Sequence, residues 1–162
     1  VIVGCTGHRP DKLGGYSLEA TRKLVGIAED LLVGLMPTEG GKAISGMALG
    51  WDQAFAYTAV ELGYYTIAAV PFVGQERRWP KDSRDAYQRL LDRVDEVVIV
   101  SPGEYAGWKF QRRNEWIVDR SDKIAAMWDG TSGGTANCLM YAASKGLTVD
   151  NGSVVNLYQE WL

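Results

Sequence analysis

Residues Lys123 to Asn137 read KIAAMWDGTSGGTAN: an apolar run, one acidic residue, a loop with three glycines, then a segment compatible with a helix. A strand that ends in such a loop and restarts as a helix is a ready-made anion site. Glycines let backbone N–H groups approach a phosphate, and the helix dipole favours negative charge there. Two further loops follow apolar runs in the same way: Gly7-His8-Arg9-Pro10 after Val1 to Thr6, and Ser45-Gly46-Met47-Ala48-Leu49-Gly50 after Lys42 to Ile44.

Outward from that stretch, apolar runs rich in Val and Ile occur at Val1 to Thr6, Lys42 to Ser45, Thr66 to Phe72, Glu96 to Ser101, Lys123 to Trp128 and Val154 to Leu157. They are continuous rather than alternating, as expected where helices cover both faces of a parallel sheet. Between them Leu24, Ala28, Leu31 and Leu35 repeat at helical spacing after Ser17, a candidate N-cap. Trp51, Phe55, Thr58 and Leu62 do so before Gly63. Tyr87, Leu90, Leu91 and Val94 mark a third helix, and Phe110, Ile117 and Val118 a fourth. This alternation predicts an α/β fold, a Rossmann-like three-layer sandwich with a mostly parallel central sheet and right-handed crossovers. With no repeat, low-complexity segment or linker, residues 1–162 are expected to form a single domain. Asp150-Asn151-Gly152-Ser153 reads as a surface turn. Ligands in open α/β sheets bind outside the carboxyl ends of the strands, so the strand-exit loops are the expected site.

A chain of 162 residues buries roughly 68–70% of its unfolded surface without disulfides or structural metal. Its formal charge of −3 argues against a general nucleic-acid-coating surface and leaves room for a small anion held by a local basic cluster. Cys5 and Cys138 read as small buried hydrophobes. With a single histidine, His8, and two separated cysteines, no transition-metal ligand pattern emerges, and no cofactor is expected. There is neither a charged leader with an apolar core nor a run of about 18 apolar residues, so a soluble, cytoplasmic protein without a membrane partner is expected.

The exit segments gather basic and polar residues that the overall charge conceals: His8, Arg9, Gln75, Arg77, Arg78, Lys81, Arg112 and Arg113. Arg77, Arg78 and Lys81 equally suit a solvated loop face, whereas Arg9, between His8 and Pro10, is placed to fork onto an anion. Projection of the fourth helix turns Asn114 inward, where an amide needs partners from the loop backbone or from a ligand. Asn137 has the same two readings in the first turn of the final helix. Asp52 and Asp129 follow strand-exit positions and suit helix starts, ribose hydroxyls, or an oxocarbenium-like centre during N-glycosidic cleavage. Phe72, Trp79, Tyr105 and Trp108 suit packing or stacking on a base. No Gly-Lys-Ser/Thr follows the glycine loop and no GxGxxG follows the first strand, which disfavours P-loop NTPase and ordinary dehydrogenase chemistry.

Together, Thr6-Gly7-His8-Arg9-Pro10, Ser45 to Asp52, Val70-Pro71-Phe72 with Gln75, Arg113-Asn114 leading to Val118-Asp119 and Ser121-Asp122, and Trp128-Asp129-Gly130 with Gly133 to Asn137 resemble the SLOG superfamily, most closely its YpsA-like branch. The resemblance implies a Rossmann-like fold and a pocket for nucleotides or nucleotide-derived ligands. The cytokinin-activating LOG phosphoribohydrolases of that superfamily carry a motif resembling PGGxGTxxE with a catalytic closing glutamate. Aligned through Gly134-Thr135, that position is Cys138, and Thr131 and Ser132 replace two of the glycines. DprA, another relative, binds single-stranded DNA, but no broad basic stripe is present here.

The reading that follows is a binding module that senses or sequesters a nucleotide-derived small molecule. Its expected ligand-binding residues are Gly7, His8, Arg9, Ser45, Gly46, Met47, Asp52, Phe72, Gln75, Arg113, Asn114, Asp129, Gly133, Gly134, Thr135 and Asn137. Gly133, Gly134, Thr135 and the Gly46 loop would hold phosphate, Asp52, Asn114 and Asn137 would meet sugar or base, and Arg9 would neutralise charge. The alternative is a LOG-like N-glycosidic hydrolase in which Asp52 or Asp129 supplies the missing carboxylate. A scaffold role is suggested by Trp116 and Trp161 on polar stretches, and exposed aromatics on outer helices suggest a homo-oligomer.

Overall fold

All six apolar runs become strands, and each is followed by a helix. In the computed structural model, which describes residues 1–36 and 40–162, the strands are β1 (Ile2–Gly7), β2 (Lys42–Ser45), β3 (Tyr65–Val70), β4 (Glu96–Ile99), β5 (Lys123–Met127) and β6 (Val154–Asn156). The helices are α1 (Leu18–Gly34), α2 (Trp51–Glu61), α3 (Lys81–Arg93), α4 (Trp108–Arg120), α5 (Gly134–Ser144) and the short α6 (Tyr158–Trp161). β3 and β4 end before the apolar runs do. Pro71, which lacks an N–H for a ladder, follows β3, and Pro102 stands shortly after β4.

The sheet is parallel throughout, in the order β4-β3-β2-β1-β5-β6. The chain steps outward from β1 to β4, crosses back through α4, and resumes at β5 on the other side of β1. The loops leaving β1 and β5 therefore separate at the topological switch point, where a crevice opens in folds of this kind.

Alternate strand residues feed the two layers. Val3, Cys5, Ala43, Ala125 and Met127 pack under α1 and α2 with Leu24, Ala28, Leu32, Trp51 and Phe55. Ile44, Ala69, Ile124 and Ala126 meet α4 and α5 through Ile117, Val118, Cys138 and Ala142. α1 starts where Ser17 Oγ accepts from the Ala20 N–H at 3.1 Å, which satisfies one of the four unpaired donors of a helix start. Trp51, with no exposed surface, also donates its indole N–H to the Ala125 carbonyl at 3.1 Å. It thus locks α2 to the strand that leads into the glycine loop. Residues 150–153 form the expected turn, with Asn151 Oδ1 accepting from the Ser153 N–H at 3.0 Å.

Candidate functional site

A cleft of about 300 Å³ opens at the carboxyl ends of β1 and β5. Four segments distant in sequence line it: Thr6 to Arg9 with Asp11 and Lys12, Ala48 with Asp52, Phe110 with Arg113 and Asn114, and Thr131 to Thr135.

The glycine loop supplies one wall. Gly133, at φ 143°, turns the chain into α5, in a region that favours glycine. The Asn137 N–H already donates to the Gly133 carbonyl at 3.0 Å, so the helix winds from its first residue. The first-turn N–H groups at Gly134, Thr135 and Ala136 have no intrahelical acceptors. On the strand side of the loop, Asn156 holds the main chain of Trp128, its Oδ1 accepting at 3.1 Å and its Nδ2 donating at 3.0 Å.

Opposite lies a buried cation. Arg113 is 4% exposed; its Nη1 donates to the carbonyls of Gly46 and Ala69 and its Nε to Asn114 Oδ1 at 2.9 Å. Nη2 meets no acceptor among the described residues, while the side chain borders the cleft. Behind it, Gln75 Nε2 donates to the Gly46 carbonyl at 3.2 Å and to the Tyr87 hydroxyl at 3.1 Å. Met47, buried at φ 62°, adopts a conformation rare for a non-glycine residue. Its N–H donates to Ser45 Oγ at 3.1 Å, and the Ser45 hydroxyl donates to the Asp52 carbonyl at 2.7 Å.

Asp52 reaches the cleft from the first turn of α2 and is buried. It accepts from the Ala48 N–H at 3.4 Å and faces the Cys5 thiol at 3.7 Å. Burial raises its pKa above the ordinary carboxylate range, outweighing the opposing pull of the Arg113 charge. Burial likewise lowers the pKa of Arg113, with the Asp52 charge opposing.

Asp129 has the opposite electrostatics. The Thr131 hydroxyl and the Thr131 N–H, at 3.0 Å, both donate to its Oδ1, and His8 Nε2 lies 2.8 Å from the same oxygen. These bonds, the Thr131 hydroxyl foremost, hold its carboxyl well below the usual range. Lys12 Nζ donates to Thr131 Oγ1 at 2.6 Å and stands 3.8 Å from Asp129 Oδ2. The chain His8–Asp129–Thr131–Lys12 ties the β1 loop to the β5 loop.

Of the residues expected at the site, Gly7, His8, Arg9, Asp52, Arg113, Asn114, Gly133, Gly134 and Thr135 meet in the cleft. Ser45, Gly46, Met47 and Gln75 are buried one layer behind, and Asp129 stands beside the cleft in the loop-tying chain. Phe72 is buried against Phe110, and Asn137 is exposed on α5 outside the lining. The helical projection needs correction at one step: Arg113 is the fully inward residue and Asn114 is half-buried beside it. A long side chain from a position flanking the apolar stripe reaches inward where the neighbouring loop is glycine. Lys12, Thr131, Ser132, Asp11 and Phe110 line the cleft without having been singled out for it. The sequence signal for Lys12 is its position two residues after Pro10, directly after the first exit loop, where the structure forms the 3-10 turn Pro10–Lys12.

Cys138 lies on the sheet side of α5, among Val118, Ile124, Ala126 and Ala142, and burial pushes its thiol up to about 11. It brings no carboxylate to the cleft. Arg77 and Arg78 are exposed, and Lys81 pairs with Asp85 at 2.8 Å. Trp79 packs edge-on against Tyr87. Trp116 and Trp161 are half-buried against the core, each with a cation, Arg120 or Lys23, over its ring. No described helix is long and apolar enough to cross a membrane.

A family model described as the YspA SLOG family (YpsA) matches residues 3–155. The chain is similar to the SPbeta prophage-derived protein YoqJ of Bacillus subtilis, 34% identical over 141 residues that cover 77% of this chain and 81% of that protein. DNA processing protein A (DprA) from Streptococcus pneumoniae has a similar structure, with TM-score 0.66 and 19% identity over 98% of this chain. The match spans 59% of the DprA chain. The molybdenum cofactor carrier protein of Chlamydomonas reinhardtii is similar at TM-score 0.55 and 16% identity, over 94% of this chain and 86% of that one.

Proposed function

This chain belongs to the YspA SLOG family, and from that premise we propose that it binds a nucleotide or nucleotide-derived signalling ligand in the switch-point cleft, sensing or sequestering it in the cytoplasm. One observation carries the reading: the buried Arg113 and the open N-terminus of α5 border the same cleft. A guanidinium already desolvated by the fold and a row of free N–H groups suit an anionic phosphate. Arg9 and Lys12 add positive charge at the rim, and Asp52 and Asn114 offer an acceptor and an amide for sugar hydroxyls. Binding without turnover is supported by Cys138 standing where the related hydrolases carry glutamate, and by likeness to a protein named as a cofactor carrier. Isothermal titration against nucleoside mono-, di- and triphosphates, cyclic nucleotides and ADP-ribose derivatives tests it. At least one should bind tighter than millimolar; no such binding from any member overturns the proposal.

A second reading, hydrolysis of an N-glycosidic bond, is favoured by the raised pKa of Asp52. A buried carboxyl at the cleft whose pKa burial raises suits acid–base work at a departing base. Chromatography after long incubation at stoichiometric protein decides between them: free base and sugar phosphate establish cleavage, and intact ligand eliminates it for the compounds used.

A further inference from the structure

Phe110 is the only Phe, Tyr or Trp side chain that lines the cleft among the described residues. An apolar ring, half-buried at the edge of an otherwise polar and charged crevice, offers no hydrogen bond to a phosphate or a sugar hydroxyl. Its setting is rigid. Phe72 and Tyr105 meet it at steep angles, 79° with centroids 5.4 Å apart and 64° at 6.2 Å. Neither ring lies flat on it. The loop that carries Tyr105 is fastened by the buried Lys109, whose Nζ donates to the carbonyls of Pro102, at 2.6 Å, and of Glu104.

Arg9 stands over this ring, its Cζ 5.5 Å from the centroid. The Arg9 side chain is exposed and makes no hydrogen bond or ion pair with the described residues. Its backbone is held in place: the Lys12 N–H donates to its carbonyl at 3.1 Å, and a β-carbon at Gly50 would come within 3.1 Å of its Cα. A guanidinium plane and a phenyl ring, both at the cleft and neither committed to another partner in parallel stacking, are the two surfaces on which nucleobases stack.

We propose that the base of the bound ligand stacks on the Phe110–Arg9 pair, so that the cleft selects nucleotides over sugar phosphates. This rests on the nucleotide reading above and adds to it that the heterocycle is recognised by its face. The cleft volume, about 300 Å³, lies at the small end of ligand pockets and suits one mononucleotide.

The test is isothermal titration of the full chain with AMP, GMP, CMP and UMP against ribose 5-phosphate, for the wild type, Phe110→Leu and Arg9→Met. At least one nucleoside monophosphate should bind about tenfold or more tighter than ribose 5-phosphate. Phe110→Leu should shrink that ratio about fivefold or more, the low end of a base–aromatic stack, and at most to unity. Arg9→Met, a change at an exposed side chain, should shrink it too, and serves as the variant of record if Phe110→Leu does not fold. Equal affinities in the wild type, or a ratio unmoved in the folded variants, overturn the stacking proposal while leaving phosphate binding intact. Binding of none of the five compounds, nor of any other nucleotide, sinks the stacking proposal and the nucleotide reading together.

Discussion

The guanidinium of Arg113 fills the space that a side chain at Gly46 would need: a β-carbon there would stand 2.4 Å from Nη1. The same guanidinium donates to the Gly46 carbonyl, so the glycine is both its seat and its acceptor. An ordinary arginine tip would swing aside. Here it is buried and fastened to Gly46, Ala69 and Asn114, and moving it breaks those bonds.

Gly46→Ala is therefore expected to cost about 1–3 kcal/mol, the usual range for overpacking a filled site, and to weaken ligand binding in parallel. Urea unfolding gives the first quantity and titration with the tightest nucleotide the second. A variant as stable as the wild type would mean that Arg113 is free to leave its seat.

Arg113→Lys separates charge from geometry. An ammonium keeps the positive charge but cannot serve Gly46, Ala69 and a ligand from one planar fork. Loss of a charge-assisted bond of about 1.5–3 kcal/mol predicts roughly 10- to 150-fold weaker binding of a phosphorylated ligand. Titration should show little change for unphosphorylated nucleosides. An equal loss for both classes would place Arg113 away from the phosphate.

The layer order and the site's general position were legible because they depend on short-range signals. Six continuous apolar runs fixed the strands, and glycines after the first, second and fifth marked the loops that had to approach something closely. The sequence pattern was weaker where long-range contacts decide. Arg113 and Arg112 are adjacent and chemically equal, and only the glycine at position 46, 67 residues away in the chain, makes room for one of them. The partnership of His8 with Asp129 spans 121 positions and follows from β1 and β5 being neighbours. Phe110 read as helix packing, because an apolar residue at helical spacing gives no hint that part of its ring faces a cleft.

Glycines at contrasting places should respond oppositely to alanine. At Gly7 a β-carbon would come 2.5 Å from Cδ1 of Trp51 and 2.9 Å from Cβ of Met127, both fully buried, so Gly7→Ala should destabilise by about 1–3 kcal/mol. Gly26 lies exposed inside α1 with no atom within 4 Å of a new β-carbon. Gly26→Ala should stabilise by roughly 0.5–1 kcal/mol, the cost of glycine within a helix. Thermal or urea unfolding of the two variants reads both signs, and a destabilised Gly26→Ala would contradict the packing of α1.

Acidity should separate the two aspartates of the site. The pKa of Asp129 is depressed in the folded state, so its stabilising contribution is present above the unfolded value of about 3.9 and is lost as pH falls through the folded value. The pKa of Asp52 is raised, so its contribution is complete below about 3.9 and is lost as pH rises through the folded value. Asp129→Asn should thus be less stable than the wild type at pH 7, with the gap narrowing in acid. Asp52→Asn has no charge to bury at any pH, so it should gain on the wild type as pH rises above about 3.9. Urea unfolding of the three proteins between pH 3 and 8 measures both slopes. Curves that run parallel to the wild type for both variants would show that neither carboxyl is perturbed by the fold.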